Sequence, residues 1–284
     1  MKKVFAFDVD GTLTSSKMNI QEGVKSFFAD KRLKENVVLF ATGNTITTVS
    51  SVRKKLLPYL KDLDSISSYA TTLGGSIIYD KNNNILYERF LCRKKLKNYL
   101  TLAEQVDPNC VFMFMNKQQQ VFNHITTEEI KNMIDNNLEK MGMAENEIKF
   151  DNKPYLSLLK KLPRIYSTAI FSLKHSKQIY EALLPLCQEA GFSIYHSKKS
   201  GMVQISAGSK LRALKYIAKL LKNDGVFDGT VKDFVYFGDE GNDIDCMRTC
   251  KLSVARGKDL EQEVINSCNI YTEDLTPYLN TIFE

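Results

Sequence analysis

Apolar residues fall into two periods along the chain, and the segments that carry them alternate. Val4–Val9 is a nearly continuous apolar run, as expected of a strand covered on both faces. Glu22–Ala29 then has helical spacing, with Val24, Phe27 and Phe28 on one side. "NVVLFATGN" repeats the buried-strand pattern, Ile46–Leu57 reads as a helix stopped near Pro58, and "SISSYATT" is a third strand. "LGGSIIYDKNNNILYERF" predicts a hairpin turned at its asparagines. Strands alternating with helices imply a doubly wound α/β domain around a parallel sheet.

The pattern changes in the middle of the chain. "CVFMFMN" with "QQVFN", the strand "RIYSTAIFSL", and "FSIYHS" with "MVQIS" predict antiparallel pairs, while "EEIKNMIDNNLEKM" and "SKQIYEALLPLCQEA" predict helices. From Lys210 the alternation returns: Leu211, Leu214, Ile217 and Leu221 stripe one helix, and "DFVYFGDEGND" and "LSVA" are further strands. The expectation is a parallel α/β core from residues 1–82 and 207–284, interrupted by an α+β module at 83–206.

Composition narrows the class. With 43% hydrophobic and 25% charged residues in 284, the chain has the balance of an ordinary globular protein. No apolar run has the length of a membrane span, and Asp8 and Asp10 interrupt the only N-terminal stretch that resembles a signal peptide. A cytoplasmic protein is expected. Six cysteines at 92, 110, 187, 246, 250 and 268 form no CxxC pair or Cys/His cluster, so buried reduced thiols are expected rather than zinc. The net charge of +6 comes as short separate clusters without interleaved aromatics, which gives no reason to expect a nucleic-acid partner. Residues 83–206 carry 17 Lys and Arg against 12 Asp and Glu, and the remainder 22 against 21, so the excess sits in the inserted module. Steering of an anionic ligand and a solvated surface account for it equally well.

Chemistry enters with "FAFDVDGTLTSS". Asp8 and Asp10 stand one residue apart at a strand end, where side chains alternate and both acids share a face. Two ionised carboxylates there ask for a cation, a proton transfer, or both. Thr42-Gly43-Asn44, Lys210, and the acidic turn with Asp239, Asn242 and Asp243 also lie where strands of the same sheet end or the chain re-enters it. Ligands bind beyond the carboxyl ends of such strands, so these sites should converge. Asp8, Asp239 and Asp243 are candidate oxygen ligands of the kind Mg²⁺ takes alongside substrate phosphate. Thr42, Lys210 and glycine-turn amides suit a phosphoryl group. One acid can then act as nucleophile while a second protonates the leaving alkoxide and later activates water.

"DVDGTLT", "ATGN", "GSK" and "GDEGNDIDCM", in this order, resemble the four motifs of the haloacid dehalogenase superfamily of phosphohydrolases. The insertion between the second and third resembles the α+β cap of its class IIB, Cof-type branch, and "TTLGGSIIYD" that branch's entry to the cap. The resemblance implies a Rossmann-like core, Asp8 as nucleophile and Asp10 as general acid/base. It also implies Mg²⁺ held by Asp8, the Asp10 carbonyl oxygen and Asp239, with Asp243 assisting or orienting Lys210. Thr42, Gly43, Asn44, Lys210 and Asn242 would surround the phosphate, and Gly11 and Thr12 would turn the chain beside Asp8. The implied function is hydrolysis of small phosphomonoesters, sugar phosphates above all, by a monomer or homodimer. A phosphomutase or a non-catalytic phosphometabolite-binding regulator is the alternative. In one respect the chain departs from the branch: the position after Thr42-Gly43 is commonly arginine, and here it is Asn44. Arg256 of "SVARGKD" stands where the branch often has a smaller or uncharged residue, and it could restore a positive charge to the site.

Overall fold

The computed structural model describes every residue except 1, 16–18, 61–66, 126, 142–147, 152 and 199. Ser65 and Ile66 of the expected third strand, and Lys199 of the expected last hairpin turn, lie outside the described residues. The described residues form two sheets. Strands are numbered in chain order: β1 Val4–Phe7, β2 Val37–Ala41, β3 Ser67–Thr72, β4 Ile77–Asp80, β5 Ile85–Glu88, β6 Val111–Met115, β7 Gln120–Phe122, β8 Ile148–Phe150, β9 Ser167–Phe171, β10 Ser193–Ser197, β11 Met202–Ser206, β12 Val235–Gly238, β13 Leu252–Arg256 and β14 Ile270–Thr272.

The first sheet has the order β14-β13-β12-β1-β2-β3-β4-β5. It is parallel from β14 to β3, and the β4–β5 hairpin closes it antiparallel. β1 lies at its centre, with Phe7 opposite Phe40 of β2 and Phe237 of β12. Both faces of β1 are buried, which explains the unbroken apolar run. Phe5 and Phe7 pack toward the helices Glu22–Ala29 and Ile46–Leu56, while Val4 and Ala6 pack toward the helices Lys210–Asn223 and Ile244–Thr249. The Phe7 and Phe237 rings stack with centroids 4.2 Å apart, and Phe27 meets both Phe5 and Phe7 edge-on. This aromatic cluster holds the carboxyl ends of β1 and β12 side by side.

The second sheet has the order β10-β11-β9-β6-β7-β8, antiparallel except for β7 with β8. One face is covered by the helices Arg93–Val106, Tyr155–Lys161 and Ser176–Glu189. The other carries Met113, Met115, Phe171 and Met202 against Leu73, Ile77 and Tyr79 of the first sheet's side and Ile130 and Ile134 of the helix Glu128–Met141. The run "VFMFM" is therefore core on both sides, and its last methionine reaches the site described below.

The expected boundary at residue 83 falls in the β4–β5 turn, and β5 stays hydrogen-bonded in the first sheet. We therefore propose that the inserted module begins after Glu88. β8, β14 and the helices Arg93–Val106 and Tyr155–Lys161 had no counterpart in the sequence reading. The two strands are each three residues long, too short to show a period. No helix among the described residues is long and apolar enough to cross a membrane.

Candidate active site

β1 ends at Phe7, one residue before the first acid, yet the Asp8 amide still donates to the Phe237 carbonyl at 2.8 Å. Asp8 is thus fixed by the same ladder that orders the strands. Asp10 reaches the site differently from the expectation of two acids alternating along a strand. The chain turns at once, with the amides of Leu13 and Thr14 both donating to the Val9 carbonyl. Gly11 has φ +86°, and a Cβ there would stand 2.0 Å from Asp239 Oδ2. The turn thus needs glycine for its conformation and to let the acidic loop approach. Thr12 Oγ1 donates to Asp239 Oδ1 at 2.8 Å, tying the first loop to the loop after β12. Arg256 completes this frame. It is buried, and its two terminal nitrogens donate to the carbonyls of Thr12 and Glu273 at 2.8 Å each. It braces the loop from behind, and its charge also acts on Asp239.

The loop after β2 supports Asp10. Thr42 Oγ1 and Asn44 Nδ2 donate to Asp10 Oδ2 at 2.9 and 3.0 Å, and the Asn44 amide returns a bond to Thr42 Oγ1 at 3.0 Å. Lys210 opens its helix behind Ser209, whose hydroxyl accepts from the Arg212 amide as an N-cap. The Lys210 ammonium is buried and donates to Asp8 Oδ1 at 2.6 Å, Asp243 Oδ1 at 2.7 Å and Asn242 Oδ1 at 2.9 Å. Asp243 is fully buried, and each of its oxygens accepts two bonds. Oδ1 takes Lys210 and the Tyr236 hydroxyl; Oδ2 takes the amides of Asp239 and Glu240 at 3.1 and 3.2 Å.

Burial sets the electrostatics. It pushes Asp8 up to about 8 against the pull of Lys210, with Asp243 and Asp10 adding to the rise. Burial likewise lifts Asp10 to about 6, opposed by its bond from Thr42, by Lys210 and by Asn44. Asp239 is raised well above its ordinary value by burial and by the neighbouring Asp8 charge. Burial alone would lower Lys210, but Asp243 and then Asp8 overcome it and hold the ammonium above its usual range. The carboxylates therefore share more negative charge than one lysine neutralises, an arrangement that favours a proton or a cation among them. Asp8, Asp239 and Asp243 can each present an oxygen within 4.8 Å of the others'.

A cavity of about 280 Å³ opens on this cluster. Asp8, Asp10, Gly43, Asn44, Asp239 and Asn242 line its floor, and Met115, Ser197, Met202 and Gln204 of the second sheet line its roof, with Ser200 beside them. Thr42 and Asp243 stand behind the floor, fully buried, and Lys210 beneath it. The four sequence-distant sites do converge.

The family model for haloacid dehalogenase-like hydrolases matches residues 5–275. The chain belongs to this family. A search of curated proteins found no match. Among solved structures, SMU.1108c from Streptococcus mutans superposes with a TM-score of 0.73 at 21% identity, covering 99% of this chain and 98% of that one. BT1666 from Bacteroides thetaiotaomicron, described as a phosphatase of the superfamily, gives 0.73 at 17% identity, covering 99% and 95%. BT4131, described as a subclass IIB sugar phosphatase, gives 0.69 at 16%, covering 95% and 93%. At such identities the likeness establishes the fold.

Within this haloacid dehalogenase fold, several residues at the site escaped the sequence reading. Tyr236 is one; it lies inside a buried strand and reads as core until its hydroxyl is seen on Asp243. Gln21 is another, donating to the Thr14 carbonyl at 3.0 Å and lining the cavity. Tyr195 of β10 lies against the acidic turn, where a Cβ on Gly241 would meet its ring at 2.4 Å. Gln204 did carry a signal. It is a polar residue between the apolar Val203 and Ile205 of β11, and alternation places it with Met202 on the cavity face.

Proposed function

We propose that the chain is a Mg²⁺-dependent phosphatase of small phosphomonoesters, with sugar phosphates the leading class, acting through an aspartyl-phosphate on Asp8. One observation carries this reading: Asp8, gripped by Lys210, and Asp10, whose Oδ1 is buried without a hydrogen-bond partner among the described residues, open on the same cavity. The description of BT4131 as a sugar phosphatase supports the substrate class, and a cavity of about 280 Å³ suits a small ligand.

The donor set is all oxygen and strongly anionic, as a small hard dication requires. Asp8, Asp239 and the Asp10 carbonyl oxygen are assigned to Mg²⁺, which would offset phosphoryl charge when bound. Asp243, with both oxygens already accepting two bonds, is assigned to orienting Lys210 and the Asp239 loop. Lys210, whose ammonium bonds Asp8, Asp243 and Asn242, offsets the charge on Asp8 and the charge that develops on the adjoining phosphoryl group. A carboxylate oxygen of Asp8 attacks phosphorus, the bond to the ester oxygen breaks, and that oxygen takes the proton held on Asp10. Asp10, now ionised, removes a proton from water as the water attacks phosphorus and Asp8 is released. The second sheet roofs the cavity, so bulk water is excluded while it is closed.

The test is release of inorganic phosphate from a panel of sugar, nucleotide and cofactor monophosphates, with Mg²⁺ and with EDTA. Release from at least one compound that EDTA abolishes is expected. A folded, Mg²⁺-supplied protein that releases phosphate from none contradicts the reading.

A further inference from the structure

Asn44 stands where the branch commonly has arginine, and the structure shows what the amide does instead. It is buried, and its backbone is held on both sides: its N–H donates to Thr42 Oγ1 at 3.0 Å, and its carbonyl accepts from the Leu73 amide at 2.9 Å. Its side chain faces two partners, one in the loop after β1 and one in the second sheet. Nδ2 donates to Asp10 Oδ2 at 3.0 Å, and Oδ1 accepts from Nε2 of Gln120 on β7 at 3.2 Å. The direction of this amide is not free. Asp10 Oδ2 accepts from Thr42 and Asn44 whether the carboxyl is ionised or carries its proton on Oδ1, so it takes Nδ2 and leaves the Asn44 Oδ1 to the roof. Gln120 must then present its NH₂ group, and its own Oε1 is left buried without a partner among the described residues. A buried orphan acceptor is an unfavourable arrangement that a core position would ordinarily avoid. Here it accompanies the one orientation of Gln120 that fixes Asn44 toward Asp10.

We propose that Gln120 is a positioning residue that makes the aim of Asp10 conditional on closure of the second sheet over the site. With β7 in place, Gln120 locks the Asn44 amide, and Asn44 together with Thr42 holds Asp10 Oδ2, turning Oδ1 to the substrate's leaving oxygen. With β7 withdrawn, Asn44 loses its second partner and is free to turn about its terminal bond, and the hold on Asp10 rests on Thr42 alone. Proton delivery is thereby tied to the closed state, in which water is excluded. This inference rests on the phosphatase reading above and concerns the proton-transfer role of Asp10 within it.

The leaving group separates this role from a structural one. A sugar phosphate expels an alkoxide that must be protonated, whereas p-nitrophenyl phosphate expels a stable phenolate that needs no proton. The bond to the leaving group breaks in the first chemical step, so kcat/KM reports on it. Gln120→Met keeps length and burial but cannot donate. It is expected to lower kcat/KM by about tenfold for the best sugar phosphate and by less than about twofold for p-nitrophenyl phosphate. Asn44→Ala should show the same selectivity, and adding Gln120→Met to it should cost no more than about a further twofold, because the two act in series. Equal losses on both substrates, independent multiplicative losses in the double variant, or an unchanged Gln120→Met enzyme would each overturn the proposal. Should Gln120→Met fail to fold, Gln120→Leu and the Asn44→Ala substrate comparison read the same selectivity. Wild-type protein inactive on every phosphoester would instead defeat the phosphatase reading, so the two failures are distinct.

Discussion

Lys210 is the residue on which the site's electrostatics turn. It is the ammonium that Asp8 and Asp243 both contact, and all three are buried. Replacing it with an isosteric apolar side chain leaves two carboxylates facing each other in a poorly solvated place. Removing one partner of a buried ionic cluster typically costs about 3–5 kcal/mol. Lys210→Met is therefore expected to lose stability of that order in urea unfolding near neutral pH, as well as activity. A loss below about 1 kcal/mol would mean that the carboxylates are already neutralised in some other way. Asn44 shows the opposite situation at the same scale. An arginine would bring a bidentate charge to the cavity, whereas asparagine brings a neutral amide already committed to Asp10 and Gln120. A substrate with a second anionic group thus gains nothing from this position.

At the scale of elements, the site is made by strand ends and the tight turns that follow them. The β1 turn brings Asp10 back beside Asp8, and Gly11 permits it with φ +86°. Gly11→Ala adds an unfavourable backbone conformation of about 1–2 kcal/mol and a Cβ on the Asp239 carboxylate. It is expected to keep the fold but to raise the Mg²⁺ concentration needed for half-maximal activity by about tenfold or more. An unchanged Mg²⁺ requirement would show that Asp239 does not hold the metal. Much of this scale was legible beforehand. β1, β2 and β12 are buried on both faces and so read as apolar runs, and their polar ends read as a site. The role of Arg256 was not legible, because the sequence does not show that this charged residue ends β13 with its guanidinium on two carbonyls. Nor was Tyr236, whose aromatic ring satisfies the apolar pattern while its hydroxyl serves Asp243. β8 and β14 failed to register because pairing with a neighbour, rather than a period of their own, makes them strands.

For the whole molecule, the question is how the second sheet stays aligned over the first. Glu88, the last residue of β5, is one fastening. Its carboxylate contacts Lys117 at 2.6 Å, the Tyr166 hydroxyl at 2.8 Å, and Arg164, all from the inserted region. The bond from Lys117 is the main reason that its carboxyl lies below the ordinary glutamate value, with burial opposing it and Tyr166 and Arg164 helping. A depressed carboxyl favours the folded state only while ionised. Its contribution is present above the unfolded value, 4.5, and is lost as pH falls through the lower folded value. Wild type and Glu88→Gln should therefore differ in unfolding stability at pH 6–7 and converge as pH drops below about 4.5. A difference that persists at the lowest pH would place the effect of the substitution elsewhere. The fastening sits away from the cavity, so it aligns the roof without closing it.

The account rests most heavily on Asp8 as the group that takes the phosphoryl. Asp8→Asn preserves the shape and the bond from Lys210 and removes the nucleophilic carboxylate. Phosphate release should be measured for this variant and the wild type on the best substrate of the panel, in Mg²⁺, with circular dichroism to verify folding. The account expects release to fall at least about a thousandfold while the protein stays folded. Asp8→Asn turnover within about tenfold of the wild type would contradict it.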